Sequence, residues 1–171
     1  MWRTLTASEW NYLMTQRINA TEKRGLATVN NVNGLIILPD NWILPSNLTF
    51  TSGTNNSYTT NTYSKEEWND MENNGAVFLP AAGSRWSTRY SEDNIIISYN
   101  NNFYGSQEQF AEEGGVPSGH YWSSSYAPRQ NSYYNAKSLV FNPEIIRIGS
   151  DYNATETYYG CSVRLVRDVE Q

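Results

Sequence analysis

The chain has 171 residues, a formal net charge of −5, a pI near 4.9 and a mean hydropathy of −0.64. Nucleic-acid binding through phosphate neutralisation needs clustered Lys and Arg, and neither such a cluster nor a polybasic lipid-binding segment is present. Six Trp, thirteen Tyr and five Phe exclude disorder as the cause of the modest 39% apolar fraction, so residues 1–171 read as one domain with a core of its own.

Cys161 is the only cysteine, so no internal disulfide can form. Apolar runs such as Leu35–Leu38 are strand-sized, and no direct membrane insertion is expected. No secretory signal precedes the first helix cap.

In chain order, Thr6-Ala-Ser-Glu9 has the pattern of a capping box. Behind it Trp10, Leu13, Met14 and Ile18 recur at helical spacing and predict one apolar face. Leu26–Val29 and Leu35–Leu38 read as two short strands around a turn. Asn33-Gly34 supplies residues that tolerate positive φ, and Pro39 ends the second strand. Residues 41–63 are polar and predict a long surface loop. Ser64-Lys-Glu-Glu67 opens a second helix with Trp68 and Met71 facing inward and Asn73-Asn74-Gly75 as its stop. Ala76–Leu79 follows as a buried strand closed by Pro80.

Within residues 84–118, Ile95–Ile97 fits a strand, Gln107–Glu113 a short helix, and Gly114-Gly115-Val116-Pro117 a breaker. Tyr121–Ser124, Ala136–Phe141, Ile145–Ile148 and Ser162–Val166 then read as strands. Early helices followed by many short strands predict an α+β fold: two helices plus a small antiparallel sheet with long loops.

Catalytic constellations are nearly lacking. His120 is the only histidine, which excludes a multi-histidine zinc site, and no GxSxG nucleophile elbow accompanies it. Beside Tyr121-Trp122, a packed or hydrogen-bonded ring is its ordinary fate. Cys161 has no charge-rich neighbourhood to depress its pKa; it reads as an inert, part-buried thiol or a variable surface position. Glu66-Glu67 suits a helix's opening turn, and Glu112-Glu113 a solvated helix face. Phosphate-loop and dinucleotide glycine patterns do not occur. Trp68-Asn69-Asp70 is similar to a calcium-ligating string of animal C-type lectins, and Asn142-Pro143-Glu144 resembles its partner motif in reverse order. The first falls within a capped helix, whose side chains diverge, whereas calcium needs roughly six to eight converging oxygens. No catalytic residue, metal site or cofactor is expected.

Trp2-Arg3-Thr-Leu-Thr-Ala-Ser-Glu-Trp10, with Tyr12 after it, resembles the opening helix of formylglycine-generating-enzyme-like domains, which have a C-type-lectin-like fold. Gly119-His-Tyr-Trp-Ser-Ser124, Ala136-Lys-Ser-Leu-Val-Phe141 and Gly160-Cys-Ser-Val-Arg-Leu-Val-Arg167 resemble the C-terminal half of that fold. Gly25–Val29, Gly34–Trp42 and Gly75–Gly83 are similar to the version found in gut Bacteroidales and their phages. The resemblance covers nearly the whole chain; residues 84–118 match least and look like an insertion. Such folds usually pair their terminal strands, and with the first helix so close to Met1 an N-terminal strand or anchoring region is expected outside residues 1–171.

That subgroup includes surface proteins and the variable proteins of diversity-generating retroelements, in which a reverse transcriptase rewrites adenine-containing codons of a C-terminal repeat. The resemblance implies a non-enzymatic, receptor- or adhesin-type binding domain. It would be displayed on a phage virion or bacterial cell surface and engage a protein or glycan ligand on a cell surface. Catalytic members of the wider family bind copper through paired cysteines, and one cysteine cannot supply that pair. A divergent oxidase using an external metal and an architectural surface protein are the alternatives.

The expected variable region spans 119–167. Leu139 and Phe141 share one strand face as anchors, and Ser138, Val140 and then Asn142 point the other way. Tyrosines and small polar residues interrupt the anchored strings, a vocabulary of binding loops; the same tyrosines would also suit the cover of an antiparallel sheet. The residues assigned to the surface are Tyr126, Tyr133, Tyr134, Ser138, Val140, Asn142, Arg147, Tyr152, Tyr158, Tyr159 and Cys161. Randomised adenines in an Asn codon ending in a pyrimidine cannot yield Lys, Glu or Gln. Gln130, Lys137, Glu144 and Glu156 are therefore expected to be fixed positions.

Overall fold

The computed structural model describes residues 1–53, 57–86, 91–92, 95–96, 102–104, 116–130, 133–150, 155–157 and 159–168. They form an α+β arrangement of two short helices and several small sheets.

A strand precedes the first helix. β1 (Trp2–Thr4) pairs antiparallel with Leu165–Arg167, Arg3 lying opposite Val166. The terminal strand expected outside residues 1–171 is therefore supplied from within them, by Trp2–Thr4. Three residues are too few to show a strand period, and their partners lie at the far end of the sequence. Arg3 ties the ribbon down, donating to both carboxylate oxygens of Glu9 at 2.8 and 2.7 Å and to Asp168 at 3.0 Å. The Arg167 guanidinium sits 5.7 Å from the centre of the Trp2 ring.

Helix α1 (Ala7–Asn11) has the expected capping box: Thr6 Oγ1 accepts from the Glu9 amide, and Glu9 accepts from the Thr6 amide. It continues as a π-helical turn over Tyr12–Gln16, closed by the Arg17 amide on the Tyr12 carbonyl. Trp10 and Met14 are buried as predicted, but Ile18 is 83% exposed. Arg17 is extended, with ψ 155°, so the helical period ends before Ile18 can share the apolar face. Arg17 turns inward instead, donating to the carbonyls of Leu13, Lys23 and Leu38 and to Asp40.

The central sheet has the order β4–β2–β3–β5, with β2 (Arg24–Val29), β3 (Val32–Ile37), β4 (Thr62–Tyr63) and β5 (Val77–Pro80). The β2–β3 turn is Asn30-Asn31, at φ 47° and 65°, and Asn33-Gly34 lies inside β3. A type I′ hairpin turn needs positive φ at both central positions, which Asn tolerates. Gly34 serves a different need: the Phe78 ring and the Leu79 carbonyl occupy the space of a side chain there.

Both faces of this sheet are covered, which explains the unbroken run Leu35–Leu38. Leu26, Leu35, Ile37 and Leu79 pack with Trp10, Met14, Tyr121, Leu139 and Phe141. Ala27, Val29, Ile36 and Leu38 pack with Leu48, Tyr63 and Met71. The second core corrects the picture of residues 41–63 as a surface loop. Leu48, Tyr58, Asn61 and Tyr63 are buried, and Asn61 Nδ2 donates to the Leu26 and Thr51 carbonyls, each at 2.8 Å. Tyr58 and Tyr63 donate their hydroxyls to the carbonyls of Pro117 and Thr49. Helix α2 (Lys65–Asn73) has its capping box, buries Met71 and packs Trp68 on Phe78; Gly75, at φ 91°, follows its end.

Beyond β5 the chain forms β6 (Ser84–Trp86), β7 (Ser91–Glu92), β8 (Ile95–Ile96) and β9 (Asn102–Tyr104), with β6 paired to β9 and β7 to β8. The Gly83 amide donates to the Ser118 carbonyl at 2.8 Å, so the two residues that flank 84–117 lie side by side. The predicted helix Gln107–Glu113 lies outside the described residues. The C-terminal part holds β10 (Gly119–Gln130), β11 (Tyr133–Phe141), β12 (Ile146–Ile148), β13 (Thr155–Glu156) and β14 (Leu165–Arg167).

Candidate ligand-binding surface

β10, β11 and β12 form an antiparallel sheet in that order, and β13 pairs with the far end of β11. Paired residues share a face, so the register separates two sets. Gly119, Phe141 and Ile146 form one row, and Tyr121, Leu139 and Ile148 the next; both face the first core. Tyr121 stacks on Phe141 and donates its hydroxyl to the Pro80 carbonyl. Burial pushes that phenol up to about 12.

Further contacts clamp the ribbon to the N-terminal part. Trp10 Nε1 donates to the Trp122 carbonyl at 3.3 Å, the Ala7 amide to Ser125 Oγ at 2.9 Å, and the Ser124 amide to the Leu5 carbonyl at 2.9 Å. Along the other edge of β10, the Trp122 amide and His120 carbonyl bond to Ser162.

The opposite face carries His120, Val140 and Arg147 in one row, Trp122 and Ser138 in the next, and Tyr126, Ala136 and Thr155 in a third. Tyr134 follows by alternation along β11. Five of the predicted surface residues therefore share one face: Tyr126, Tyr134, Ser138, Val140 and Arg147. Tyr126 is 81% and Tyr134 66% exposed, and Arg147 is exposed. Ser138 and Val140 are not: they retain 1% and 8% exposure. Alternation fixed their direction correctly, but pointing away from the core is a different matter from reaching water. Ser138 Oγ is hydrogen-bonded to Thr155 Oγ1 at 2.8 Å, and Val140 lies between His120 and Arg147. These two form the floor of the face, and neither presents itself to a ligand. Trp122 and Thr155, both half-buried, share this face without being among the residues assigned to it from sequence; the one-residue offset of Trp122 from Tyr121 is the signal that places it on the opposite side.

The remaining residues scatter. Asn142 caps the β11–β12 turn, its Oδ1 accepting from the amides of Glu144 and Ile145 at 2.8 and 2.9 Å. Tyr133 opens β11 opposite Gln130. Tyr159 and Cys161 are half-buried in the segment running along β10, where Gly160 bridges Arg85 and Ser162 bridges Tyr121. Tyr152 and Tyr158 lie outside the described residues.

No family model, curated protein or solved structure matches this chain. Its chemistry therefore rests on the residues themselves. His120 Nε2 lies 3.0 Å from Ser118 Oγ, and burial, with Arg147 nearby, holds its pKa below the ordinary value, so the ring is neutral at pH 7. Burial pushes the Cys161 thiol up to about 12 and keeps it protonated there. Among the described residues, no three His, Cys, Asp or Glu side chains converge as metal ligands. Trp68, Asn69 and Asp70 sit in α2, and Asn142 uses its side-chain oxygen on its own turn. What the C-terminal sheet offers is a largely uncharged face, tied to the N-terminal part by hydrogen bonds, with exposed phenols at one end and a guanidinium at the other.

Proposed function

We propose that this chain is a non-enzymatic binding domain with a C-type-lectin-like fold, of the kind similar to diversity-generating retroelement variable proteins, displayed on a phage particle or bacterial surface. The observation that carries the reading is the placement of Tyr126 and Tyr134, exposed on one face of a ribbon whose opposite face is packed into the core. Tyrosine gives contact area at low entropic cost, and a ribbon clamped at several points loses little freedom on binding. Its ligand is a protein or glycan on a cell surface, contacted by Tyr126, Tyr134 and Arg147, with Trp122 and Thr155 between them. The buried Ser138 and Val140 support these contacts from below.

Sequencing the gene from many isolates tests the proposal. Differences concentrated at exposed positions of 126–159, with Gly119, Leu139 and Phe141 constant, are expected. Differences spread evenly over residues 1–171 would overturn the diversified-surface reading. A neighbouring reverse-transcriptase gene with a near-copy of residues 120–167 is the expected genomic companion.

A further inference from the structure

Away from the tyrosine face, a cleft of about 300 Å³ opens beneath the C-terminal strand. Its floor is core: Trp10, Ile37 and Leu79 are buried there, and Leu13 and Val77 add apolar wall. Arg164 stands among its lining residues, exposed and without a hydrogen bond or ion pair among the described residues.

The surroundings are electropositive, although the chain as a whole carries −5. Arg17, buried, also lines the cleft. Arg24 continues the cross-strand row of Ile37 and Val77, and its Nε and Nη1 are buried with no acceptor. The nearby carboxylates are committed: Asp40 to Lys23 and Arg17, Glu9 and Asp168 to Arg3. An anion at this site would meet uncompensated positive charge and no free carboxylate from these residues.

We propose that the cleft binds an aliphatic carboxylate, its chain against Leu13, Val77 and Leu79 and its head group on Arg164. The volume is at the lower end of the ~300–1,000 Å³ of small-molecule pockets and roughly twice the ~150 Å³ cavity that takes up benzene. That suits a chain of about eight carbons. The apolar floor supplies attraction without direction, and the guanidinium selects the charged head.

Titration of the isotope-labelled chain with octanoate, octanol and octylamine, followed by NMR, tests this. Octanoate is expected to give saturable shifts at the Leu13 and Val77 methyls and the Trp10 indole N–H, and to bind more tightly than the other two. Arg164→Ala should weaken octanoate about fivefold, the upper range for an exposed ion pair, and leave octanol unchanged. Val77→Phe should fill the cleft and abolish binding, with Leu13→Phe as a second filler should the first fail to fold. Equal affinity for octanol or octylamine, no effect of Arg164→Ala, or shifts confined to the Tyr126–Tyr134 face would overturn the proposal. The Leu13, Val77 and Trp10 shifts and the Arg164→Ala effect do not involve the tyrosine face, so the two sites stand or fall separately.

Discussion

Phe141 fills the space that a side chain at Gly119 would need. The two residues face each other across the β10–β11 ladder, and a Cβ at position 119 would overlap the Phe141 ring. Phe141 is fully buried between Tyr121 and the central sheet, so the ring cannot retreat without opening the core. Gly119→Ala should therefore cost about 1–3 kcal/mol, the range for overpacking a filled site. Denaturant unfolding of the variant measures it, and an unchanged midpoint would contradict the close approach.

Glu9 makes acid stability depend on the terminal ribbon. Hydrogen bonds from Arg3 and then from the Thr6 amide hold its carboxyl near 2, below the ordinary 4.5. The folded state thus favours the ionised form. The stabilisation is complete above about pH 4.5 and is lost as pH falls toward about 2. Wild type should lose Tm more steeply than Glu9→Gln across that window. Parallel Tm–pH curves would show that the bridge to Arg3 contributes nothing.

Substitutions on the candidate face should divide by burial. Tyr126→Ala, at an exposed position, is expected to change stability by no more than about 0.5 kcal/mol. Ser138→Tyr faces the same way, yet it must displace the Thr155 contact and should cost at least about 1–3 kcal/mol. Chemical denaturation of both variants distinguishes a surface position from a floor position.

Cys161 should be a slow thiol. With its pKa pushed up to about 12 by burial, alkylation at pH 8 is expected to run at least about tenfold slower in the folded chain than in urea. Equal rates in the two states would place the sulfur in open solvent.

Arg24 carries a buried charge without an acceptor at Nε or Nη1. Burial, together with the charge of Arg17, lowers its pKa. Arg24→Met keeps most of the apolar stem and removes the charge, so it should raise stability by about 1 kcal/mol or more. A loss of stability would mean that the guanidinium is compensated in solution.

Elements with a local cause were legible in the residues alone. Both capping boxes, the α2 stop before Gly75, the run Leu35–Leu38 and the alternation of β11 formed as their residues required. Caps and stops depend on contacts within a few positions, and apolar runs and alternation are patterns of consecutive residues, so cap chemistry and periodicity report both directly. Tertiary structure alone decided the rest. Trp2–Thr4 is a strand because Leu165–Arg167 lies beside it. The described residues of 41–63 are anchored because Tyr58 and Asn61 donate to carbonyls far along the chain, those of Pro117 and Leu26, and because Leu48 and Tyr63 pack into the second core. The tyrosine face differs from its sequence outline for the same reason. Alternation tells which way Ser138 and Val140 point, while their exposure depends on what a folded chain brings over them. Direction is a property of one strand, and burial is a property of everything packed around it.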